Sequence, residues 1–536
     1  MIDTIIIGAG ISGLFTLKHL KELGIHNILV IDKNHYPFGV WNIKNHPSVK
    51  EFTYCVSSKL YMTISDFPIP KEYPEFPHHS DIYKYYKSYA KKFDLLKHVK
   101  CDVTVLNTKK IKDYWNIYTK NRVYKCKNLV IACGTVNNFL NIPKDKMYNN
   151  FIGLKFHSDE YDKYKNQLIN KKILLVGVSD TACDIAEEHK LKNKITISSR
   201  KGVWLQNRNF SAYGPSDMLY SRFLDLIIKK IIGKQIADLI FGNNFFTVPF
   251  WWGKNGHGIK EWETNSGYLN SYYVKSRDII SSISKGQLKA VNGIKDISNN
   301  EIIFKNGKKD NFDVIIFCTG YKPFGGLNFI DKKYYKYLYK KIFSYYDNSV
   351  YFVGYIRPYL TSIPMMAELQ SRWVAQEIYN NNSSLPCKKK MLNEIIIDNN
   401  KQQNEFPSCC ERLKTIVDPY DYSNMIANKI NAKPNIWKYI LTDINFFIIT
   451  LLYSWNHHYF RLNDKCNYKV KIAYENIIDN FSNYTSKLVA NLIVWYPFLI
   501  ITFISAIFIL YNLFCRFKCF KGLKSLLTKF KFYNTF

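Results

Sequence analysis

Thr4-Ile5-Ile6-Ile7-Gly8-Ala9-Gly10-Ile11-Ser12-Gly13-Leu14, close to the N-terminus, decides how this chain folds. An apolar run ends in glycines spaced G-x-G-x-x-G, and Leu14, Leu17 and Leu20 then recur at helical spacing. The spacing predicts a strand, a tight turn and a helix. Ile28 to Ile31 reads as the next strand and ends on Asp32. Gly8 permits the turn, Gly10 lets a pyrophosphate come up to the backbone, and Gly13 lets helix and strand pack closely. The helix N-terminus offers free N–H groups to the phosphates, and Asp32 is placed to accept from ribose hydroxyls. With strand, helix and acid in order, the stretch predicts a dinucleotide site.

A second unit of the same kind begins at Lys172. The strand Ile173 to Val176 leads into Gly177-Val178-Ser179-Asp180-Thr181-Ala182-Cys183-Asp184, with Ser179 and Ala182 at the second and third glycine positions. Small residues keep the packing close, although Ser179 adds a Cβ where phosphate approaches. The following strand, Ile195 to Ile197, ends at Ser198-Ser199-Arg200 instead of an acid. A hydroxyl and a guanidinium suit a 2′-phosphate, hence NADP over NAD. Two such units argue for electron transfer in which NADPH reduces a flavin. Asn128 to Cys133 and Asp313 to Cys318 are further apolar strands that stop at Gly134 and Gly320.

At 536 residues the chain can bury more than one core. Lys and Arg number 75 against 43 acids, a formal charge of +32, but the lysines are scattered and no nucleic-acid module accompanies them. The 12 cysteines include no C-x-x-C pair, which predicts a reducing compartment and no metal site. The N-terminus reads as a strand, not a signal peptide. Leu488 to Phe514 is an uncharged apolar stretch of about 27 residues, long enough to cross a bilayer, followed by Arg516, Lys518, Lys521, Lys524, Lys529 and Lys531. A single span would put this basic tail on the lumenal side, against the positive-inside tendency; shallow insertion with lysines at anionic headgroups removes the conflict. Asn483-Tyr484-Thr485 is a glycosylation sequon, and Cys515 and Cys519 beside the apolar stretch are candidate palmitoylation sites.

Phe151-Ile152-Gly153-Leu154-Lys155-Phe156-His157-Ser158-Asp159-Glu160-Tyr161 resembles the F-x-G-x-x-x-H-S-x-x-Y signature of flavin-containing monooxygenases. The likeness continues in Gly39-Val40-Trp41, Ser65-Asp66-Phe67-Pro68, Gly214-Pro215-Ser216-Asp217-Met218, Cys318-Thr319-Gly320-Tyr321 and Glu368-Leu369-Gln370-Ser371-Arg372-Trp373, so it spans essentially the whole chain. The resemblance implies an α/β fold of two Rossmann-like dinucleotide-binding domains, the NADPH domain inserted in the FAD domain, plus a C-terminal membrane helix. The expected boundaries are 1–155 (FAD domain, first part), 156–284 (NADPH domain with an insertion), 285–436 (FAD domain, second part), 437–487 (helical), 488–514 (membrane helix) and 515–536 (basic tail).

The implied cofactors are FAD and NADPH, with O2 as co-substrate. FAD is expected at Gly8, Ala9, Gly10, Ile11, Ser12, Gly13, Asp32, Val40, Trp41, Val56 and Ser57; NADP at Cys55, Val56, Gly177, Ser179, Asp180, Thr181, Ala182, Asp184, Ser198 and Arg200. The implied reaction is of the N,N-dialkylaniline N-oxide-forming class, through a flavin C4a-hydroperoxide that oxygenates a small amine or thioether. The implied location is the endoplasmic reticulum membrane, catalytic domains facing the cytosol. One departure bears on catalysis: Val56 stands where the family carries an asparagine that touches flavin and nicotinamide, and a valine cannot donate the amide's hydrogen bond. Phe38 likewise replaces the first glycine of G-G-x-W, and Asp32 a glutamate. Three activities stay open: a monooxygenase, an NADPH oxidase releasing hydrogen peroxide, and a non-catalytic membrane flavoprotein scaffold. His157 reads as a polar residue in a turn, and Glu368 with Arg372 as an i,i+4 ion pair.

Overall fold

Ile2–Ile7 and Ile28–Ile31 form the expected strands and pair in parallel, Ile7 opposite Ile31. The computed structural model describes residues 1–137, 139–209, 214–219, 221–226, 257–267, 271–406 and 415–482. In the first sheet the order runs from Leu338–Tyr339 through Phe343–Ser344, Val350–Phe352, Val123–Ile131, Ile2–Ile7 and Ile28–Ile31 to Val99–Lys100, with the hairpin Val105–Ile111/Tyr114–Thr119 attached to Val123–Ile131. Its central strands are covered on both faces, which is why they read as unbroken apolar runs: Ile5, Ile6, Val30, Leu129 and Val130 are all buried. Each such side chain contributes roughly 1.5–3 kcal/mol.

The second sheet is wholly parallel, in the order Leu288–Asn292, Lys194–Ser199, Lys172–Val176, Val314–Phe317, Leu154–His157. Alternation divides its side chains between two cores. Ile173, Leu175 and Ile316 pack under the helix Asp180–His189, whose Ala182, Ile185 and Ala186 face them; Leu174, Val176, Ile315 and Phe317 pack under the antiparallel strands 294–311. Both sheets belong to one compact unit of residues 1–209 and 215–480.

The return to the first sheet, expected at 285, comes later. Leu288–Asn292 and Val314–Phe317 both pair into the second sheet, and the chain rejoins the first only at Leu338–Tyr339. A short apolar run such as Val-Ile-Ile-Phe does not state which sheet it joins; its partners Ile173–Val176 and Leu154–His157 decide that. The two crossings between sheets run side by side, with Leu140 bridged to Tyr321, the Asn141 N–H donating to Gly320 O at 2.8 Å and the Lys322 N–H to Phe139 O at 2.9 Å.

The helix Ile363–Tyr379 lies against the first helix, Ile11–Glu22. Small side chains let them approach: Thr16 Oγ1 and Ser371 Oγ are 3.0 Å apart, and a Cβ on Gly354 would come within 2.4 Å of Ser12 Oγ. Among the described residues no helix is long and apolar enough to cross a membrane. The stretch 488–514, the basic tail, the sequon and Cys515 and Cys519 lie outside the described residues.

Candidate active site

The first glycine turn has the shape of a phosphate cradle. Gly8 adopts φ +111°, and a Cβ there would strike Ala132 O at 2.5 Å. On Gly13 a Cβ would lie 2.0 Å from Gly8 O, so helix and turn are in direct backbone contact. Gly10 differs: its Cβ direction is open, with only Gly39 Cα within reach at 3.8 Å. Gly10, Ile11 and Ser12 are half-buried in an otherwise buried turn, leaving the helix N-terminus to an anion. This fits a pyrophosphate. Asp32 accepts the Ala9 N–H at 2.7 Å and the Asn34 N–H at 2.8 Å; burial pushes its carboxyl up, and those donors oppose the shift.

Val40 and Trp41 sit half-buried in a short turn, Gly39–Trp41, packed against the cradle. Phe38 enters that turn at φ +79°, the left-handed region that glycine occupies without strain. Its ring is buried edge-on to Tyr83 at 5.6 Å. The family's glycine here thus has a backbone reason, which this chain overrides with side-chain packing.

In the second cradle Gly177 takes φ +101°, and a Cβ would meet Cys318 O at 3.1 Å. The Ser179 hydroxyl accepts the Ala182 N–H at 3.2 Å as the helix N-cap and donates to Cys318 O at 3.2 Å. The side chain in the glycine position is therefore engaged by the protein, and the first-turn N–H groups of Asp180 and Thr181 remain for phosphate. Asp184 holds Arg208 at 2.9 Å, and burial pushes its carboxyl up to about 6. Ser198 is buried and donates to Asn292 O at 2.8 Å, whereas Arg200 stands exposed at the strand end.

Val56 is half-buried on a loop tied down on both sides. The Cys55 N–H donates to Pro77 O at 2.9 Å, Ser57 Oγ to Thr361 O at 3.3 Å, and the Ser58 N–H to Asp217 Oδ2 at 2.8 Å. Burial raises the Cys55 thiol far above its usual range, so it is no nucleophile. Asp217 in turn lies 3.7 Å from Lys275 Nζ, which also donates to Leu360 O at 3.3 Å, while the Lys275 N–H donates to Asp180 Oδ1 at 3.1 Å. Lys275 thereby joins the second cradle to the segment after the first sheet. Spacing did not single out Lys275 or Tyr272; Lys275 lies in the strand Tyr273–Ser276, all of whose residues are buried.

Two family motifs are tied into the fold by hydrogen bonds and ion pairs. His157 Nδ1 accepts the Asp159 N–H at 3.1 Å and caps the following turn. Glu368 does not pair with Arg372, as its spacing suggested. It accepts from Arg461 at 3.3 Å and sits 2.7 Å from His457, while Arg372 donates to Phe460 O at 3.0 Å. Arg461 also meets Asp66 at 3.2 Å and Ser65 Oγ at 2.7 Å, all of them buried, so a charge network closes the segment 457–461 over the first helix. The N-terminal side of the helix Ile363–Tyr379 aims Glu368 across to the later segment, not along its own axis.

Two open glycine cradles within one folded unit define an oxidoreductase that works with two dinucleotides. Residues 3–518 match the model of the flavin-binding monooxygenase-like family, and the chain belongs to it. N-oxide-forming dimethylaniline monooxygenase 2 of Oryctolagus cuniculus is 29% identical over 483 residues, covering 85% of this chain and 88% of that protein. Among solved structures, S-allyl-L-cysteine S-oxygenase from Allium sativum superposes with TM-score 0.57 at 17% identity, covering 90% of this chain and 98% of that one. The OTEMO complex with FAD and NADP reaches TM-score 0.59 at 13% identity, with 80% and 98% covered. The cofactors are those of the family, FAD and NADPH, with O2 as co-substrate.

Proposed function

We propose that this protein is an NADPH-dependent monooxygenase that places one oxygen atom of O2 on a soft nitrogen or sulfur nucleophile, in the N-oxide-forming class. The observation that carries the reading is the pair of cradles, each with its helix N-terminus available, joined through Asp180 and Lys275 to the loop of Val56. When bound, the flavin supplies the redox chemistry, by the C4a route that the resemblance implies. The chain's own part is to hold the two dinucleotides: the Gly10 turn and Asp32 for FAD, the Gly177 turn and Arg200 for NADPH. Around the Val56 loop, buried side chains exclude water.

Val56 favours a second outcome. Val56 cannot donate the hydrogen bond of the family's asparagine, and the activity that would go with its loss is that of an NADPH oxidase releasing hydrogen peroxide. Measuring product formed per NADPH consumed separates the two. Stoichiometric N-oxide or sulfoxide supports the monooxygenase, and peroxide alone supports the oxidase. No flavin reduction by NADPH leaves the scaffold reading.

The apolar stretch 488–514 with its basic tail supports attachment to the endoplasmic reticulum membrane, catalytic units on the cytosolic side. A chain ending at residue 487 is expected in the supernatant after microsomal sedimentation, with the full chain in the pellet.

A further inference from the structure

Arg357 lies on the short strand Arg357–Pro358, between the first sheet and the helix Ile363–Tyr379. Its guanidinium rests over the ring of Tyr272 at 4.3 Å, and Nη2 donates to the Tyr272 hydroxyl at 2.7 Å. That hydroxyl donates to Asp180 Oδ2 at 3.4 Å, at the first turn of the second cradle's helix. A few residues on from Arg357, Leu360 O and Thr361 O accept from Lys275 and from Ser57 of the Val56 loop. Arg357 therefore stands where the NADPH-side turn, the FAD-side segment and the Val56 loop are tied together.

The charge on Arg357 has no acid to answer it among the described residues. Its Nε is buried without an acceptor, and Nη1 makes no hydrogen bond to a described residue. The neighbouring carboxylates are engaged: Asp180 by the Lys275 N–H and the Tyr272 hydroxyl, Asp217 by the Ser58 N–H and Lys275. A guanidinium stays charged at neutral pH, and Nη1 of this planar fork keeps its donors for an oxygen of a carboxylate. The aromatic face behind it fixes the fork's plane at small entropic cost.

We infer that Arg357 anchors a carboxylate carried by the substrate, so that acidic amines or thioethers are preferred to neutral ones. This rests on the monooxygenase reading for the presence of a substrate there. A phosphate of the coenzyme has the same oxyanion chemistry, but the Gly177 turn and the exposed Arg200 already provide for it.

The test is calorimetric titration of the full-length protein loaded with FAD and NADP, using (methylthio)acetate and its methyl ester as probes. The acid is expected to bind at least about 10-fold more tightly than the ester, the scale of one charge-assisted hydrogen-bonded pair. Arg357→Gln should erase that preference and Arg357→Lys keep part of it. Equal binding of the two probes by the native chain overturns the inference. So does an Arg357→Gln variant that keeps the preference but loses affinity for NADP, which would assign the anion to the coenzyme. Sulfoxide is assayed in parallel: selective acid binding without oxygenation of either probe supports the carboxylate site and defeats the monooxygenase reading.

Discussion

Gly10→Ala separates what the first glycine turn does for folding from what it does for FAD. Gly10 has φ −71° and ψ 177°, which alanine adopts freely, and its Cβ would have a single neighbour, Gly39 Cα at 3.8 Å. The folded chain therefore loses only about 0.5–1 kcal/mol, the scale of an N-cap change. The methyl projects into the face that a pyrophosphate must approach. Losing one or two charge-assisted hydrogen bonds to phosphate, at about 1.5–3 kcal/mol each, weakens FAD by roughly 10- to 10,000-fold. Gly13→Ala is the control, because its Cβ would overlap Gly8 O at 2.0 Å and the turn itself must break. Flavin fluorescence titration reads affinity, and thermal melting of the apoprotein reads the fold. If Gly10→Ala bound FAD like the native chain, or melted as early as Gly13→Ala, the cradle argument would be wrong.

Arg461→Met should destabilise the fold by about 3–5 kcal/mol, because it removes the cation that faces the buried Glu368, while Asp66 keeps Lys18; adding Glu368→Gln should recover part of the loss in denaturant melts. Phe38→Gly removes a left-handed strain of about 1–2 kcal/mol but loses a buried ring whose deletion costs about 3–5, so a net loss near 2 kcal/mol is expected on unfolding. His19 and His458 are held near 4, His19 by burial and then Lys18, His458 by burial and then His457. Their folded values lie below the unfolded 6.5, so the unfolded chain takes up protons first as pH falls. Stability should then fall between those two values, by up to about 1.4 kcal/mol per pH unit for each histidine. His458→Gln should flatten the slope, and an unchanged slope in its melting curves would refute the assignment.

Sequence alone determined the two glycine turns, because a turn, its helix and the next strand interact within a few residues, and glycine spacing reports backbone geometry directly. Against the family's pattern, Phe38 and Val56 stand out as departures in the sequence itself. Only the tertiary structure decided that Leu288–Asn292 and Val314–Phe317 join the second sheet, because strand partners are chosen by packing across long stretches of chain. It also turned Glu368 from Arg372 to Arg461 and His457, and brought Arg357, Tyr272, Asp180 and Lys275 together. Those residues are scattered in sequence and share no motif. Their proximity is a product of the two sheets meeting, which local spacing does not encode.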